Sequence, residues 1–363
     1  MSWRYTVGAN EFMVKTMAVK HSVENNIPIH FHAPSQYEEH DLTSEPKQSL
    51  QELMISSAKK LRKKFKYLQL NYSGGLDSNL ILQLFTDNDI HIDEIQCHKA
   101  GVPDADYEID QFALPTLKSL SHKLKKTKIT IIEPSLEDYL SYYTKGITQD
   151  KIAKGCVGFY SHIRIHRQTA LLKQFDSPDV AVITGKEKPR IMKHGDHFYT
   201  YFLDGEIEPH PQFYNFFVDD VEINAKQTHL WLAHFRNNAN SIDAVWESEL
   251  LWNKTVGRPV NKPYPSKSLH LEQNDNFILH NGKKIYYLNE KENRALSYFS
   301  KHKPVVLDLF QNWNDSLVEY TRGTWWNHGL PEFGYVNCFS KFYGLTKKDV
   351  KTVDQLFPDG FNT

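Results

Sequence analysis

Ser73-Gly74-Gly75-Leu76-Asp77-Ser78 concentrates more chemistry than any other stretch of the chain. Two adjacent glycines let the backbone turn sharply and bring consecutive N–H groups toward one point. The following run, Asn79-Leu80-Ile81-Leu82-Gln83-Leu84-Phe85, reads as a helix whose positive end faces that same point, so an anion belongs there. Ser73 and Ser78 add hydroxyl donors. Asp77 has no use beside an anion unless a cation sits between them. The six residues therefore describe a site for the pyrophosphate part of a nucleotide, with magnesium on Asp77. A Walker loop is excluded, because its closing Gly-Lys-Ser/Thr is missing.

A second stretch with chemical content is Val180-Ala181-Val182-Ile183-Thr184-Gly185-Lys186-Glu187-Lys188-Pro189-Arg190. It reads as a buried strand, a glycine turn, and three cations around one carboxylate. Phosphoryl chemistry needs positive charge where an α-phosphate and a departing pyrophosphate develop negative charge. Lys186, Lys188 and Arg190 could supply it, and Glu187 could hold magnesium or act as a base. The alternative is a polar loop on the same edge of a sheet.

The Ser-Gly-Gly-Leu-Asp-Ser run at Ser73–Ser78 resembles the PP-loop of the ATP pyrophosphatase superfamily. Residues 44–85, a helix leading into a strand that ends in that run, are similar in pattern to the synthetase domain of asparagine synthetase. Asp104-Ala105-Asp106-Tyr107-Glu108 sits where that family carries an acidic stretch opening a helix. The resemblance implies an α/β fold of the adenine nucleotide alpha hydrolase-like kind, a parallel sheet with helices on both faces. It implies ATP and magnesium as cofactors, ATP phosphates against Ser73–Ser78, and adenine near the end of the strand at 92–97. It further implies cleavage between the α and β phosphates, adenylation of a substrate oxygen, and displacement of AMP by a nitrogen nucleophile. The adenylated oxygen belongs to a carboxylate or a nucleobase carbonyl of a small-molecule or nucleobase substrate.

Thr184-Gly185-Lys186-Glu187 departs from the family by lacking its paired Asp-Glu. No glutamine-hydrolysing half is visible: position 2 is Ser2 where that half needs a cysteine nucleophile, and too few residues precede the motif. Nitrogen would then come as ammonia, as a substrate amine, or from a donor protein. A sulfur-transfer enzyme related to phosphoadenylyl-sulfate reductase, and an ATP-binding module without turnover, are the competing expectations. Several members of the superfamily are dimers, which leaves a homodimer open.

These residues need elements to hold them. Leu50, Leu53, Met54, Ala58, Leu61 and Phe65 recur at helical spacing, and Ser44 before Pro46 supplies a helix start. Strands are expected at 68–72, 92–97, 128–132 and 180–184, with helices around 107–124 and 160–175 between them. Strands separated by helices imply a parallel sheet whose ligands bind at the carboxyl ends. Residues 1–43 read as a small β element, 44–190 as the ATP-binding domain, and 191–363 as an aromatic-rich α+β region for substrate or partner. Within the last, hairpins are expected around His194-Gly195-Asp196 and Asn281-Gly282, and a largely helical stretch over 228–252.

With 363 residues, 24% of them charged, and a formal net charge of −1, the chain carries no global field for nucleic acid or anionic membrane. Nucleic acid stays open as a partner because of the basic run Lys59–Lys66, which otherwise reads as a solvated helix face. Cys97, Cys156 and Cys338 are too scattered for a disulfide scaffold or a Cys-x-x-Cys metal site. No long apolar span or signal-peptide core occurs, so a cytoplasmic setting without a membrane is expected. His162 with His166, and His194 with His197, are weak metal candidates, while Gly257-Arg258-Pro259 and Trp325-Trp326 could contact substrate.

Overall fold

The computed structural model describes residues 3–13, 15–102, 106–144, 178–185, 190–202, 204, 212–237, 269–271, 277–279, 297–309, 312 and 339–356. The first elements are β1 (Arg4–Val7), β2 (Asn10–Phe12), the helix α1 (Lys15–Asn25) and β3 (Ile29–His32). The strands form an antiparallel sheet in the order β2-β1-β3. Alternation buries Tyr5, Val7, Ile29 and Phe31 while their neighbours stay more exposed. Helix α1 was not expected from sequence, because no apolar stripe marks it; Ala18 and Ser22 are buried.

After the short helix α2 (Gln36–Glu39) comes α3 (Leu50–Lys64). It starts later than the Ser44–Pro46 signal suggests. Ser49 and Glu52 form a capping box: Glu52 N donates to Ser49 Oγ at 3.2 Å and Ser49 N donates to Glu52 Oε2 at 2.8 Å. That satisfies two N–H groups which a start at Ser44 would leave open. Leu50, Leu53, Met54, Ala58 and Leu61 form the buried stripe as expected. The basic run lies on the exposed face and last turn of α3, where Arg62 pairs with Asp93 at 2.5 Å and Lys66 with Asp179 at 2.6 Å. It therefore sits at the amino end of the strand that follows, at the opposite edge from Ser73–Ser78.

Next come β4 (Tyr67–Asn71), α4 (Leu76–Asp87), β5 (Glu94–His98), α5 (Leu114–Ser119), β6 (Lys128–Ile132), α6 (Leu136–Thr144) and β7 (Val180–Thr184). A π-helical turn, Ile109–Ala113, leads into α5. Pro115 cannot donate to the carbonyl four residues back and its ring crowds that carbonyl, so the preceding turn opens wider. The hairpin β8 (Arg190–His194) and β9 (His197–Tyr201) closes at Gly195, whose φ is +58°. His194 pairs with His197 across the turn, as the sequence suggests.

β10 (Phe213–Asn215) completes a five-stranded sheet in the order β10-β7-β4-β5-β6, every neighbouring pair parallel. The architecture is mixed α/β, as expected. The strand at 92–97 runs from Glu94, and the helix around 107–124 shortens to the π turn and α5. The long helix α7 (Val221–Asn237) packs against α3, with Lys226 paired to Glu45 at 2.6 Å. β11 (Leu269–Leu271) pairs antiparallel with β12 (Phe277–Leu279), while the Asn281-Gly282 hairpin lies outside the described residues. β13 (Phe342–Gly344) and β14 (Val350–Lys351) join β9 and β8 in a four-stranded antiparallel sheet, order β14-β13-β9-β8. Among the described residues no helix is long and apolar enough to cross a membrane.

One core runs through the central sheet, the N-terminal sheet and the strand at 342–344. Its junction is aromatic: Phe202 meets Trp3 edge-on at 4.9 Å and Tyr37 at 5.0 Å, and Tyr37 meets Tyr343 at 5.4 Å. Polar tips of these side chains find partners rather than water: Tyr5 Oη donates to Asp204 at 3.0 Å, Tyr37 Oη to the Val218 carbonyl at 2.6 Å, and Trp3 Nε1 to Asp219. Phe202→Ala should cost ~3–5 kcal/mol, measured by denaturant unfolding. A cost under ~1 kcal/mol would show that the junction does not hold the sheets together.

His32, beside Thr6 at 2.8 Å, is held down to about pKa 4 by burial first and by Arg4, Lys341 and His30 next. The unfolded chain titrates this group near 6.5, so between there and about 4 the unfolded state binds the proton and the folded state does not. Stability from this group is therefore full above pH 6.5 and falls as the pH drops toward 4. His32→Gln should flatten that part of a Tm-against-pH curve; an unchanged slope would assign the acid sensitivity elsewhere.

Candidate functional site

β4 ends at Asn71, and within five residues the chain has turned and entered α4. The turn is possible because Gly74 adopts φ +80°, a left-handed conformation that a side chain disfavours. Gly74 also presses on the π turn: a Cβ there would lie 2.7 Å from Ala113 N and 2.9 Å from Ala113 Cα. Gly75 is less confined, with a Cβ meeting Glu108 Oε1 at 3.1 Å and Ser73 Oγ at 3.2 Å. Both contacts come from side-chain ends that can move.

The serines brace the loop from within. Gly75 N donates to Ser73 Oγ at 3.2 Å, Ser78 Oγ donates to the Gly75 carbonyl at 3.1 Å, and the two hydroxyls lie 3.2 Å apart. Gly75 is the N-cap of α4 and brings no capping side chain, and the first intrahelical bond is Asn79 N to the Gly75 carbonyl at 2.9 Å. The N–H groups of Leu76, Asp77 and Ser78 thus open the helix with its positive end toward the loop. Asp77 occupies the first turn and is partly exposed; Leu76 is exposed and Ser78 buried. Tyr72, just before the loop, donates to Asn79 Oδ1 at 3.1 Å, and burial pushes its phenol up to about pKa 12.

β7 lies next to β4, which brings the second stretch to the same place. A Cβ on Gly185 would lie 3.0 Å from Ile81 Cδ1, 3.2 Å from Phe217 Cε2 and 3.4 Å from the Asp77 carbonyl carbon. The Thr184–Gly185 turn therefore abuts the first turns of α4. Lys186, Glu187 and Lys188 lie outside the described residues. Arg190 is the first residue of β8, opposite Tyr201 in the separate antiparallel sheet. His162, His166, Cys156, Cys338, Gly257–Pro259 and Trp325–Trp326 also lie outside the described residues, and Cys97 is fully buried.

The end of β5 is shaped just as firmly. Asp106 accepts from Ala100 N at 2.6 Å and from Gly101 N at 3.3 Å, and Tyr139 Oη donates to the Ala100 carbonyl at 2.6 Å. Asp106, from the acidic stretch, is thus a loop-forming residue. Lys99 pairs with Asp110 at 2.8 Å, and its ammonium is held above its ordinary range mainly by that hydrogen bond. Glu108, from the same stretch, reaches the glycine loop.

One feature of the site escapes sequence reading. Asn215 pairs with Thr184, Asn71 with Gln96, and Gln96 with Thr130. Continuing the Leu70–Ile183 register by one residue sets Thr184 beside Asn71. A row of five uncharged polar side chains therefore crosses the whole sheet near its carboxyl edge. The row below it holds Glu94, buried yet kept ionised. Burial alone would raise its pKa, but hydrogen bonds from Thr130 at 2.5 Å, Tyr67 at 2.8 Å and Gln96 at 3.4 Å, with Lys128 at 3.3 Å, hold it below the usual range. The alternation Gln69-Leu70-Asn71 and Glu94-Ile95-Gln96 was the available signal.

Compared with protein-family models and with curated protein sequences, the chain matches none. The site's meaning therefore rests on its geometry.

That geometry separates the two glycines. Gly74→Ala should lower stability by ~2 kcal/mol or more, combining the left-handed backbone with the collision at Ala113. Gly75→Ala should stay within ~1 kcal/mol. Equal thermal unfolding of the two variants would show that the loop is not pinned by the π turn.

Proposed function

We propose that this chain is an AMP-forming, ATP-dependent ligase with an adenine nucleotide alpha hydrolase-like core. The observation that carries the reading is the junction of β4 and α4: a left-handed Gly74, a Gly75 N-cap without a side chain, and two serine hydroxyls around one opening. Its donors suit a pyrophosphate group better than any cation or apolar ligand. A parallel sheet with its loops at one edge supports the same reading, as does the contact of the Thr184–Gly185 turn with α4.

On this reading the backbone N–H groups of residues 76–78 and the hydroxyls of Ser73 and Ser78 bind the β and γ phosphates, while Gly75 N stays bonded to Ser73 Oγ. Asp77 would hold magnesium, which takes one or two carboxylates together with substrate phosphates, and the ion would neutralise charge on the departing pyrophosphate. Lys186 and Arg190 would approach the α-phosphate, and Glu187 would hold metal or accept a proton. Gly185, which abuts the first turns of α4, is followed directly in sequence by Lys186 and Glu187. The acceptor's oxygen attacks the α-phosphorus, the α–β bond breaks, and a nitrogen nucleophile then displaces AMP from the adenylated acceptor. Nitrogen arrives as ammonia, as an amine, or from a donor protein.

A sulfur-handling activity would have to use Cys156 or Cys338, because Cys97 is sealed in the core and thiolate chemistry needs access. ATP binding without turnover is the remaining competitor.

The test is incubation with magnesium, α-labelled ATP and a pooled metabolite and nucleic-acid extract. AMP should appear only when extract is present, and Asp77→Ala should reduce its rate by at least ~100-fold. ATP bound without AMP under all these conditions would replace the ligase by a nucleotide sensor. ADP as the product would mean the wrong bond is broken.

A further inference from the structure

The polar row at the carboxyl edge is costly as it stands. Parallel strands covered on both faces are normally apolar throughout. On the other face these strands conform, with Leu68, Leu70, Ile95, Ala181 and Ile183 all fully buried. On the row's face, Gln96 is 2% exposed, Thr184 1% and Asn215 1%. Three of the row's polar atoms are buried without any hydrogen-bond partner: Asn71 Nδ2, Gln96 Oε1 and Asn215 Oδ1. Each such atom has left water without a hydrogen bond to replace the one it gave up.

The orphans have a definite arrangement. Asn71 and Gln96 are register partners on adjacent strands, so their side chains leave the same face about 5 Å apart. One presents an unused donor and the other an unused acceptor. Their second polar atoms are already engaged: Asn71 Oδ1 by Gln69 at 3.4 Å and Gln96 Nε2 with Glu94 at 3.4 Å. Those bonds fix which ends are left over. Asn71 also closes β4, two residues before Ser73 in the chain.

We propose that Asn71 and Gln96 recognise the acceptor substrate through a planar, neutral amide-type edge, a C=O beside an N–H. The carbonyl accepts from Asn71 Nδ2 and the N–H donates to Gln96 Oε1. A carboxylate cannot do this, because it has no proton to give Gln96 Oε1. The row has no cation to neutralise one either, since Asn215, Thr184, Asn71, Gln96 and Thr130 are all uncharged. The inference rests on the ligase reading and narrows it: of the two acceptor oxygens considered, it selects the carbonyl of a lactam or carboxamide over a carboxylate. A lactam-bearing nucleobase and a free carboxamide share this edge.

The test is a binding experiment, independent of turnover. Thermal shift and calorimetry of the full chain, with magnesium and a non-hydrolysable ATP analogue, would use guanosine and uridine as lactam probes. Nicotinamide and glutamine would serve as carboxamide probes, and nicotinate and glutamate as the matched carboxylates. Binding by a lactam or carboxamide probe but not by its carboxylate counterpart is expected, and which arm responds identifies the source. Gln96→Met and Asn71→Leu should weaken that probe by on the order of 10- to 100-fold while the ATP analogue still binds. Without any probe, Gln96→Met should shift the unfolding temperature by no more than a few degrees, because losing the 3.4 Å hydrogen bond to Glu94 is offset by removing an unsatisfied acceptor.

Preference for the carboxylates, or no binding by any probe, overturns the proposal. So does loss of ATP-analogue affinity in the variants, which would give the pair to adenine. A clear drop in the unfolding temperature of Gln96→Met would make the side chain structural and overturn it equally. The outcome is separable from that of the ligase reading, since the probes can bind whether or not AMP is formed.

Discussion

In the central sheet all five strands run in the same direction, and their hydrogen-bond register keeps them in step. Everything at the candidate site follows from that constraint. Each strand delivers its closing residues to one edge, so the Ser73–Ser78 loop, the Thr184–Gly185 turn and the Ala100–Gly101 turn emerge side by side. Had β7 paired antiparallel to β4, Gly185 would have opened at the far edge, beside the basic end of α3. In register, it instead backs onto the first turns of α4, and its lack of a side chain is what lets it do so.

How much of this could be read in the chain beforehand depended on how local each signal was. The strand, glycine pair and helix over 67–87 lie within 21 consecutive residues, and their conformations need no distant partner to be inferred. The start of α3 was misplaced because Ser44 with Pro46 is a plausible cap, whereas Ser49 with Glu52 is a reciprocal one and wins on satisfied N–H groups. β10 is three residues long and sits inside an aromatic run, so no period marks it. The polar alternation of β4 and β5 was visible, but alternation by itself reads as one face in water. Only the strand order puts that face indoors. The residues that crowd the glycines, Ala113, Glu108 and Phe217, belong to other elements and carry no signature of that proximity.

The same limit applies to the junction between the two ends of the chain. Trp3, Phe31, Tyr37, Phe202 and Tyr343 are far apart in sequence, and nothing in their spacing announces that they share one core. Their packing does two jobs. It shelters the N-terminal sheet, which on its own has too few strands and too little apolar area to be stable. It also fixes the 215–220 turn after β10, through Tyr37 to Val218, Gln36 to the Asp219 carbonyl and Trp3 to Asp219. That turn carries Phe217 to Gly185, so the first residues of the chain help set the shape of the loop edge.

The strand order also has a consequence in time. β4 finds one neighbour, β5, almost at once, but its other neighbour, β7, is separated from it by most of the first half of the chain. At ~5–20 residues per second, a ribosome leaves that side of β4 unpaired for several seconds. An open edge of this kind invites pairing with other chains. The lysines and Arg62 that close α3 stand at the amino end of that strand, and like charges beside an open edge oppose its pairing with a second copy until Asp93 and Asp179 neutralise two of them.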